Sequence, residues 1–298
     1  MKQGITNVYI ATTPRYSALT IESLKTPNCS INKIHEKNYE ISLDSPLIMA
    51  PDAINVFDGL VNTAVVTEKN EKAIINVSLE YPCAYQLKVE RNLPERLIIF
   101  FDRSVLTKLL KDKVIVIDPG HGGKDFGHRG HINLLEKNVV MDVANYLKEE
   151  LNLYGARAVM TREKDICLNT KDRINTALLL EAEMYISLHT NWDRNKKIHG
   201  AKGTYYEGQG KILCESILRE LEKKPGIKNL GANQAEKVFE KIQCRHISKM
   251  PIVTIEVCTI SNPVEEGWLR SPVFKKRLAN AIKNGISNYF FLIKGIDL

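Results

Sequence analysis

The sequence predicts an α/β domain with a largely parallel, twisted sheet flanked by helices, preceded by a small all-β sandwich. Three observations carry this expectation. Residues 1–104 break into short runs with period-two alternation or β-branched enrichment. From residue 113 onward, short apolar runs alternate with segments of helical spacing, the pattern of helices covering both faces of a parallel sheet. Residues 105–112 form a short polar-to-basic linker between the two parts.

In the first part, strands are expected at 7–12, 17–23, 39–43, 62–68, 72–81, 85–91 and 96–102. The alternation is plainest where Ile75, Val77, Leu79 and Tyr81 share one face and Asn76, Ser78 and Glu80 the other. Turn residues separate the runs, as in Glu68-Lys-Asn-Glu71 and Asn92-Leu-Pro94. Several short strands with turns between them suggest a sandwich. This part shows no acid–base pair, metal cluster or glycine-rich loop, and reads as a binding or positioning module.

The second part, 113–298, opens on Val114-Ile-Val-Ile-Asp-Pro-Gly-His-Gly-Gly-Lys124. Four apolar residues form a strand that Pro119 and Gly120 stop, leaving His121 on a glycine-rich loop at its carboxyl end. A helix over 135–151 carries Val139, Val140, Val143, Ala144 and Leu147 on one face. Gly155 ends it. A strand at 157–160, a helix at 170–180 and a buried strand at 184–188 follow, the last ending in His189-Thr-Asn191. Then come a strand at 204–206, a helix at 212–221, a strand at 251–257 and a terminal helix at 272–291.

Composition narrows the class. A chain of 298 residues is long enough for two domains. No apolar run is long enough to cross a bilayer. The first residues, Met1-Lys-Gln-Gly-Ile-Thr-Asn7, lack the apolar core of a signal peptide, so either the chain is not exported or a signal has been removed. Acidic and basic residues balance over 1–110, so the net charge of +7 comes from the remainder. A basic surface of this kind suits an anionic polymer or serves solubility alone. Cys29, Cys83, Cys167, Cys214, Cys244 and Cys258 are dispersed with no C-x-x-C pair, which excludes a zinc knuckle or thioredoxin-type motif and favours buried free thiols.

Four polar residues stand out by position. His121 and His189 both follow apolar strands at their carboxyl ends, where ligands bind in open α/β sheets. Glu256 lies inside Val253-Thr-Ile-Glu-Val257, where a carboxylate is costly unless paired or ligated. Glu136 sits in the first turn of a helix, a place the helix dipole alone would favour. Two histidines and one glutamate suit a catalytic zinc site with an open position for water, and a further carboxylate could take a proton from that water. Structural or solvated histidines are the alternative reading.

The sequence here resembles the zinc-dependent N-acetylmuramoyl-L-alanine amidases of the Amidase_3 type. The opening segment through Asp125 looks like their first motif. Leu135-Glu-Lys-Asn-Val139, Met160-Thr-Arg-Glu-Lys-Asp165, Lys171-Asp-Arg173, Ile186-Ser-Leu-His-Thr-Asn191 and Met250-Pro-Ile-Val-Thr-Ile-Glu-Val257 with Ser261-Asn-Pro match later motifs in order. Leu93-Pro-Glu-Arg-Leu-Ile-Ile-Phe-Phe-Asp102 is more loosely similar to the AMIN module that often precedes these enzymes.

The resemblance implies one Zn²⁺ per catalytic domain, ligated by His121, Glu136 and His189, with Glu256 as the catalytic carboxylate. It implies a peptidoglycan hydrolase that cleaves the amide between the lactyl group of N-acetylmuramic acid and L-alanine. Peptidoglycan would be the partner, with anionic wall polymers a further one, no nucleic acid and no membrane span. Location would be periplasmic, in the cell wall or secreted. Asn191, Arg162, Arg173 and His128 are candidates for substrate contact, Arg162 and Arg173 equally for shaping the sheet edge. Asp118 is a candidate to orient a ligand histidine. The sequence departs from the family pattern at Phe126-Gly127-His128, where Pro-Gly-Ala is usual, and at Cys258-Thr259, where Gly-Phe is usual. It also lacks the arginine often found before Gly231. No inhibitory helix fits between Glu136 and His189, which predicts a site open without an activator. A zinc peptidase or other amidohydrolase, and a non-catalytic wall-binding protein, are the rival readings.

Overall fold

A computed structural model describes residues 4–206, 208–235 and 250–294. The chain divides into two compact units at Lys108–Leu109.

The first unit contains β1 (Ile5–Thr12), β2 (Tyr16–Ser23), β3 (Cys29–His35), β4 (Asn38–Leu43), β5 (Asp52–Asn55), β6 (Val61–Lys69), β7 (Lys72–Leu79), β8 (Tyr85–Glu90) and β9 (Glu95–Asp102). They form two antiparallel sheets, ordered β1-β2-β9-β8 and β3-β4-β7-β6-β5. Ile75, Val77 and Leu79 are buried, as the alternation requires, with Leu19, Ile21, Ile41, Leu43, Ile99 and Phe101. Two strands escape the sequence pattern, β3 and β5. Both are edge strands, and most of their residues are exposed. An edge strand with no buried face needs no apolar alternation, so period-two reading passes over it.

A buried ion pair sits within this unit. Arg103 Nη1 lies 2.9 Å from Asp58 Oδ2 and donates to Ser17 Oγ at 3.0 Å. The hydroxyls of Ser17 and Thr12 donate to Asp58 Oδ2 at 2.6 and 2.7 Å, and the amides of Leu60 and Val61 donate to Oδ1. Burial pushes the Asp58 carboxyl up. Arg103 and these hydrogen bonds outweigh it, and the carboxyl is held below its usual range.

The segment expected as a linker is helical, α1 (Ser104–Leu110). Val105, Leu106, Leu109 and Leu110 are buried on one side, a helical spacing too short to stand out in the sequence.

The second unit continues with β10 (Val114–Pro119), α2 (Glu136–Leu153), β11 (Arg157–Met160), α3 (Thr170–Leu179), β12 (Met184–Asn191), β13 (Ala201–Tyr205), α4 (Gln209–Lys223), β14 (Asn229–Gln234), β15 (Ile252–Thr259), α5 (Pro263–Leu269) and α6 (Pro272–Lys294). The sheet order is β11-β10-β12-β15-β13-β14. The first four of these strands run parallel. The expectation of a largely parallel sheet needs one correction: β13 runs antiparallel to β15, and β14 pairs parallel to β13. The sheet is therefore mixed. β14 has no fully buried residue and lies at an edge, which again hid it from the sequence pattern.

Register places the polar strand ends side by side. Asp118 lies beside Ser187, and His189 beside Glu256. Val139, Val140, Val143, Ala144 and Leu147 of α2 are buried as expected. α4 and α6 approach closely at Gly285, where a Cβ would lie 2.5 Å from Ile217 Cα and 2.8 Å from its nitrogen. Helix propensity alone would make Gly285→Ala stabilising by about 1 kcal/mol. The clash is with backbone, which cannot swing aside, so we expect the opposite: a loss of roughly 1–3 kcal/mol. A thermal melt of the variant decides the sign.

Candidate metal centre

The loop after β10 is built from beneath by two buried arginines. Arg162 donates from Nε to Pro119 O and from Nη2 to Gly120 O, both at 2.8 Å. Arg173 donates to Pro119 O at 2.9 Å and to His121 O at 2.8 Å. These cations hold backbone carbonyls that would otherwise be buried without partners. The backbone turns through positive φ at His121 (60°), Gly122 (127°) and Gly123 (59°).

Asp118 is buried under the same loop. It accepts from Arg173 Nη1 at 2.7 Å, Thr161 Oγ1 at 2.5 Å and Ser187 Oγ at 2.8 Å. Burial pushes its carboxyl up, but Arg173 and the hydroxyl donors outweigh this and hold it below the usual range. Its contacts run to the arginine and the hydroxyls, which corrects the expectation that it orients a ligand histidine. That place is taken by Asp125, whose Oδ2 lies 2.8 Å from His121 Nδ1. With Asp125 accepting there, Nε2 of His121 is the nitrogen left to ligate.

Glu136 is wholly buried at the start of α2 and gathers the site. Its Oε1 lies 3.0 Å from His189 Nδ1 and accepts from Thr190 N at 2.8 Å. Its Oε2 lies 3.2 Å from His121 Nε2 and 3.0 Å from His128 Nδ1, and accepts from His128 N at 2.7 Å. Burial alone would raise the Glu136 carboxyl. The histidines and the two amides outweigh it and hold the group well below the usual carboxylate range, so it stays ionised. The imidazoles of His121 and His189 stand edge to face with centroids 4.9 Å apart. One ligand atom from each of His121, Glu136 and His189 falls within 4.8 Å of the others.

Glu256 reaches the site from β15. Its Oε2 is buried with no hydrogen-bond partner. Burial raises its carboxyl pKa, only partly offset by Lys202 and His189. Lys202 is its cross-strand neighbour on β13. A cavity of about 270 Å³ opens beside the two histidines, lined also by Asp125, Arg173, Tyr185 and Thr254. A larger one of about 500 Å³ lies at the amino-terminal ends of β12 and β15 and is lined by none of these donors.

The other sequence candidates separate. Arg162 and Arg173 donate to loop carbonyls, and Arg173 also to Asp118, which fits the loop-shaping role; Arg173 also lines the cavity. Asn191 Nδ2 donates to Thr259 Oγ1 at 3.0 Å and ties the ends of β12 and β15 together. His128 reaches the site through Glu136 Oε2. Cys258 is a buried thiol pushed well up by burial, hence unreactive. Cys214 is buried, Cys29 and Cys83 are half-buried and Cys167 is exposed; all five are free, and Cys244 lies outside the described residues.

Helix-flanked sheet and donor set together define a class: a mixed α/β domain with a His–Glu–His pocket at the carboxyl ends of parallel strands. The same fold is seen in the N-acetylmuramoyl-L-alanine amidase AmiC2 of Nostoc punctiforme, which is 31% identical, with a TM-score of 0.55 over 59% of this chain and 96% of that one. The Amidase_3 model, N-acetylmuramoyl-L-alanine amidase, matches residues 115–288, and the chain belongs to that family. The N-acetylmuramoyl-L-alanine amidase LytC of Bacillus subtilis is 29% identical over 267 residues, covering 84% of this chain and 52% of LytC. The probable cell wall amidase LytH of Staphylococcus saprophyticus is 33% identical over 191 residues, 63% of this chain and 62% of LytH. The chain thus spans between half and two thirds of the length of these two relatives.

Proposed function

We propose that this chain is a zinc-dependent amidase of the cell wall, hydrolysing the bond between the lactyl group of N-acetylmuramic acid and L-alanine of the stem peptide. The observation that carries the reading is the convergence of His121, Glu136 and His189 beside the half-buried Glu256, one of whose oxygens is buried and unpartnered. The donor set suits zinc: two imidazole nitrogens and one carboxylate oxygen, with the carboxylate held ionised and His121 oriented by Asp125. When bound, the ion supplies a Lewis acid and an open position at which water is acidified toward neutrality.

The chain's own residues do the rest. Glu256, whose pKa is raised by burial, accepts the proton of the attacking water and returns it to the departing alanine nitrogen. A carboxyl shifted toward neutrality is better matched to both transfers than one at its ordinary value. The interval between Glu136 and His189 holds α2, β11 and α3 with no further helix, which supports a site that works without an activator. Residues 1–104 form an AMIN-like module that binds the polymer or positions the catalytic domain, residues 113–298, on it. The protein acts at the wall, in keeping with the names of its relatives.

Digestion of purified peptidoglycan by the zinc-loaded protein tests the reading. New amino-terminal alanine is expected; release from within the stem peptide would make it a peptidase instead. Gly127→Ala gives a second check. A Cβ there would lie 2.6 Å from His121 Cδ2 and 2.7 Å from Glu136 Oε2, and its φ of 67° disfavours a side chain. The variant should bind zinc at least about ten-fold more weakly by competition with a chelator, the scale of loss when ligand support is disturbed.

A further inference from the structure

The site carries one feature that the metal chemistry leaves unused. Trp192 follows β12 directly, yet its side chain is 43% exposed. Its ring is stacked on His128, with centroids 5.9 Å apart and planes 13° from parallel. His128 is one of the departures from the family pattern, and its Nδ1 lies 3.0 Å from Glu136 Oε2. An aromatic surface therefore extends outward from the donor carboxylate.

His128 is anchored to Glu136, and the backbone around Trp192 is tied down. His128 is held by its ring nitrogen and by its amide, which donates to the same Glu136 oxygen. The backbone on either side of Trp192 is held: Asp193 N donates to Ser261 Oγ at 2.9 Å, and Ile260 N donates to Asn191 O at 2.8 Å. A large exposed aromatic stacked on an anchored ring beside the donor carboxylate contributes contact area at low ordering cost.

We propose that Trp192, backed by His128, is a platform on which a sugar ring of the glycan strand stacks. A pyranose presents a flat face of C–H groups and a rim of hydroxyls, which suits an indole covered on one side and open on the other. The reading rests on the amidase assignment, because only a lactyl ether separates the scissile carbonyl from the muramic acid ring. The platform thereby sets specificity for substrates that carry the sugar and not the stem peptide alone.

The chain has two tryptophans, Trp192 and Trp268. In the zinc-loaded Trp268→Phe protein, Trp192 is the sole indole reporter. Titration with a soluble, peptide-free oligomer of alternating N-acetylglucosamine and N-acetylmuramic acid should shift its emission saturably. By calorimetry, Trp192→Ala should weaken binding of that oligomer by about ten-fold, and Trp192→Phe by less. An unchanged emission, or unchanged affinity in Trp192→Ala, overturns the platform. So does a shift produced by free stem peptide and not by the oligomer. Because the oligomer has no scissile amide, glycan binding without alanine release would overturn the amidase assignment alone, and alanine release without Trp192-dependent binding would overturn the platform alone.

Discussion

Glu256→Gln is expected to lower the rate of alanine release from purified peptidoglycan by about 10²–10⁴-fold, the range a positioned general acid–base residue supplies. The same substitution should leave zinc content unchanged, since Glu256 stands outside the group of three donors. It should also leave the melting temperature unchanged or raise it. Glu256 is half-buried, one of its oxygens is buried with no partner, and burial disfavours its charged form. Removing a charge from such a place relieves the fold even as it disables the chemistry. The paired outcome matters more than either half. A variant that retains more than about a tenth of the activity removes Glu256 from the proton transfers. A variant that loses both activity and several degrees of stability shows that Glu256 holds the site together instead.

Asp58→Ala should destabilise the first unit by about 3–5 kcal/mol, because it breaks the buried ion pair with Arg103 and removes the acceptor of Ser17, Thr12, Leu60 and Val61. For a unit of this size the corresponding loss in calorimetry is about 10 °C or more. The Asp58 carboxyl is held below its ordinary value in the fold, so its contribution is fully present above the unfolded pKa of about 4. It is lost as the pH falls below that value toward the folded pKa. Wild-type stability should therefore decline below about pH 4, and part of that decline should vanish in the variant. An identical acid slope in the two proteins would show that Asp58 is not the group responsible. The prediction concerns stability alone, since Asp58 and Arg103 lie in the unit without the donor cluster.

The legible parts of the fold were those with a buried face. The strand with Ile75, Val77 and Leu79 and the helix with Val139, Val143 and Leu147 announce themselves through periodicity because burial demands it. β3, β5 and β14 answer to hydrogen bonding at sheet edges, which leaves no apolar pattern behind. α5 carries a local start signal instead of an apolar one: Asn262 caps it and Pro263 opens it. At the site, His121, His189 and Glu256 could be picked out as polar groups ending apolar strands. Asp125 and Trp192 could not, because each acts on a ring brought near by the closing of a loop. Arg162 and Arg173 were ambiguous for a different reason. A charged side chain in a motif looks the same in sequence whether it faces a ligand or a backbone carbonyl.

Those two arginines have a consequence for how the metal site would assemble. The bend through His121, Gly122 and Gly123 is held by guanidinium groups donating to the carbonyls of Pro119, Gly120 and His121. The donor histidine is thus presented by interactions that involve no metal. Under the zinc reading proposed above, the site would work as a socket and not as a clasp: the ion would be seated in a shape set by these contacts. Chelation would silence a socket without unfolding it, unlike small domains in which the metal is itself the core. Replacement of one divalent ion by another then becomes a question of fit within a fixed frame.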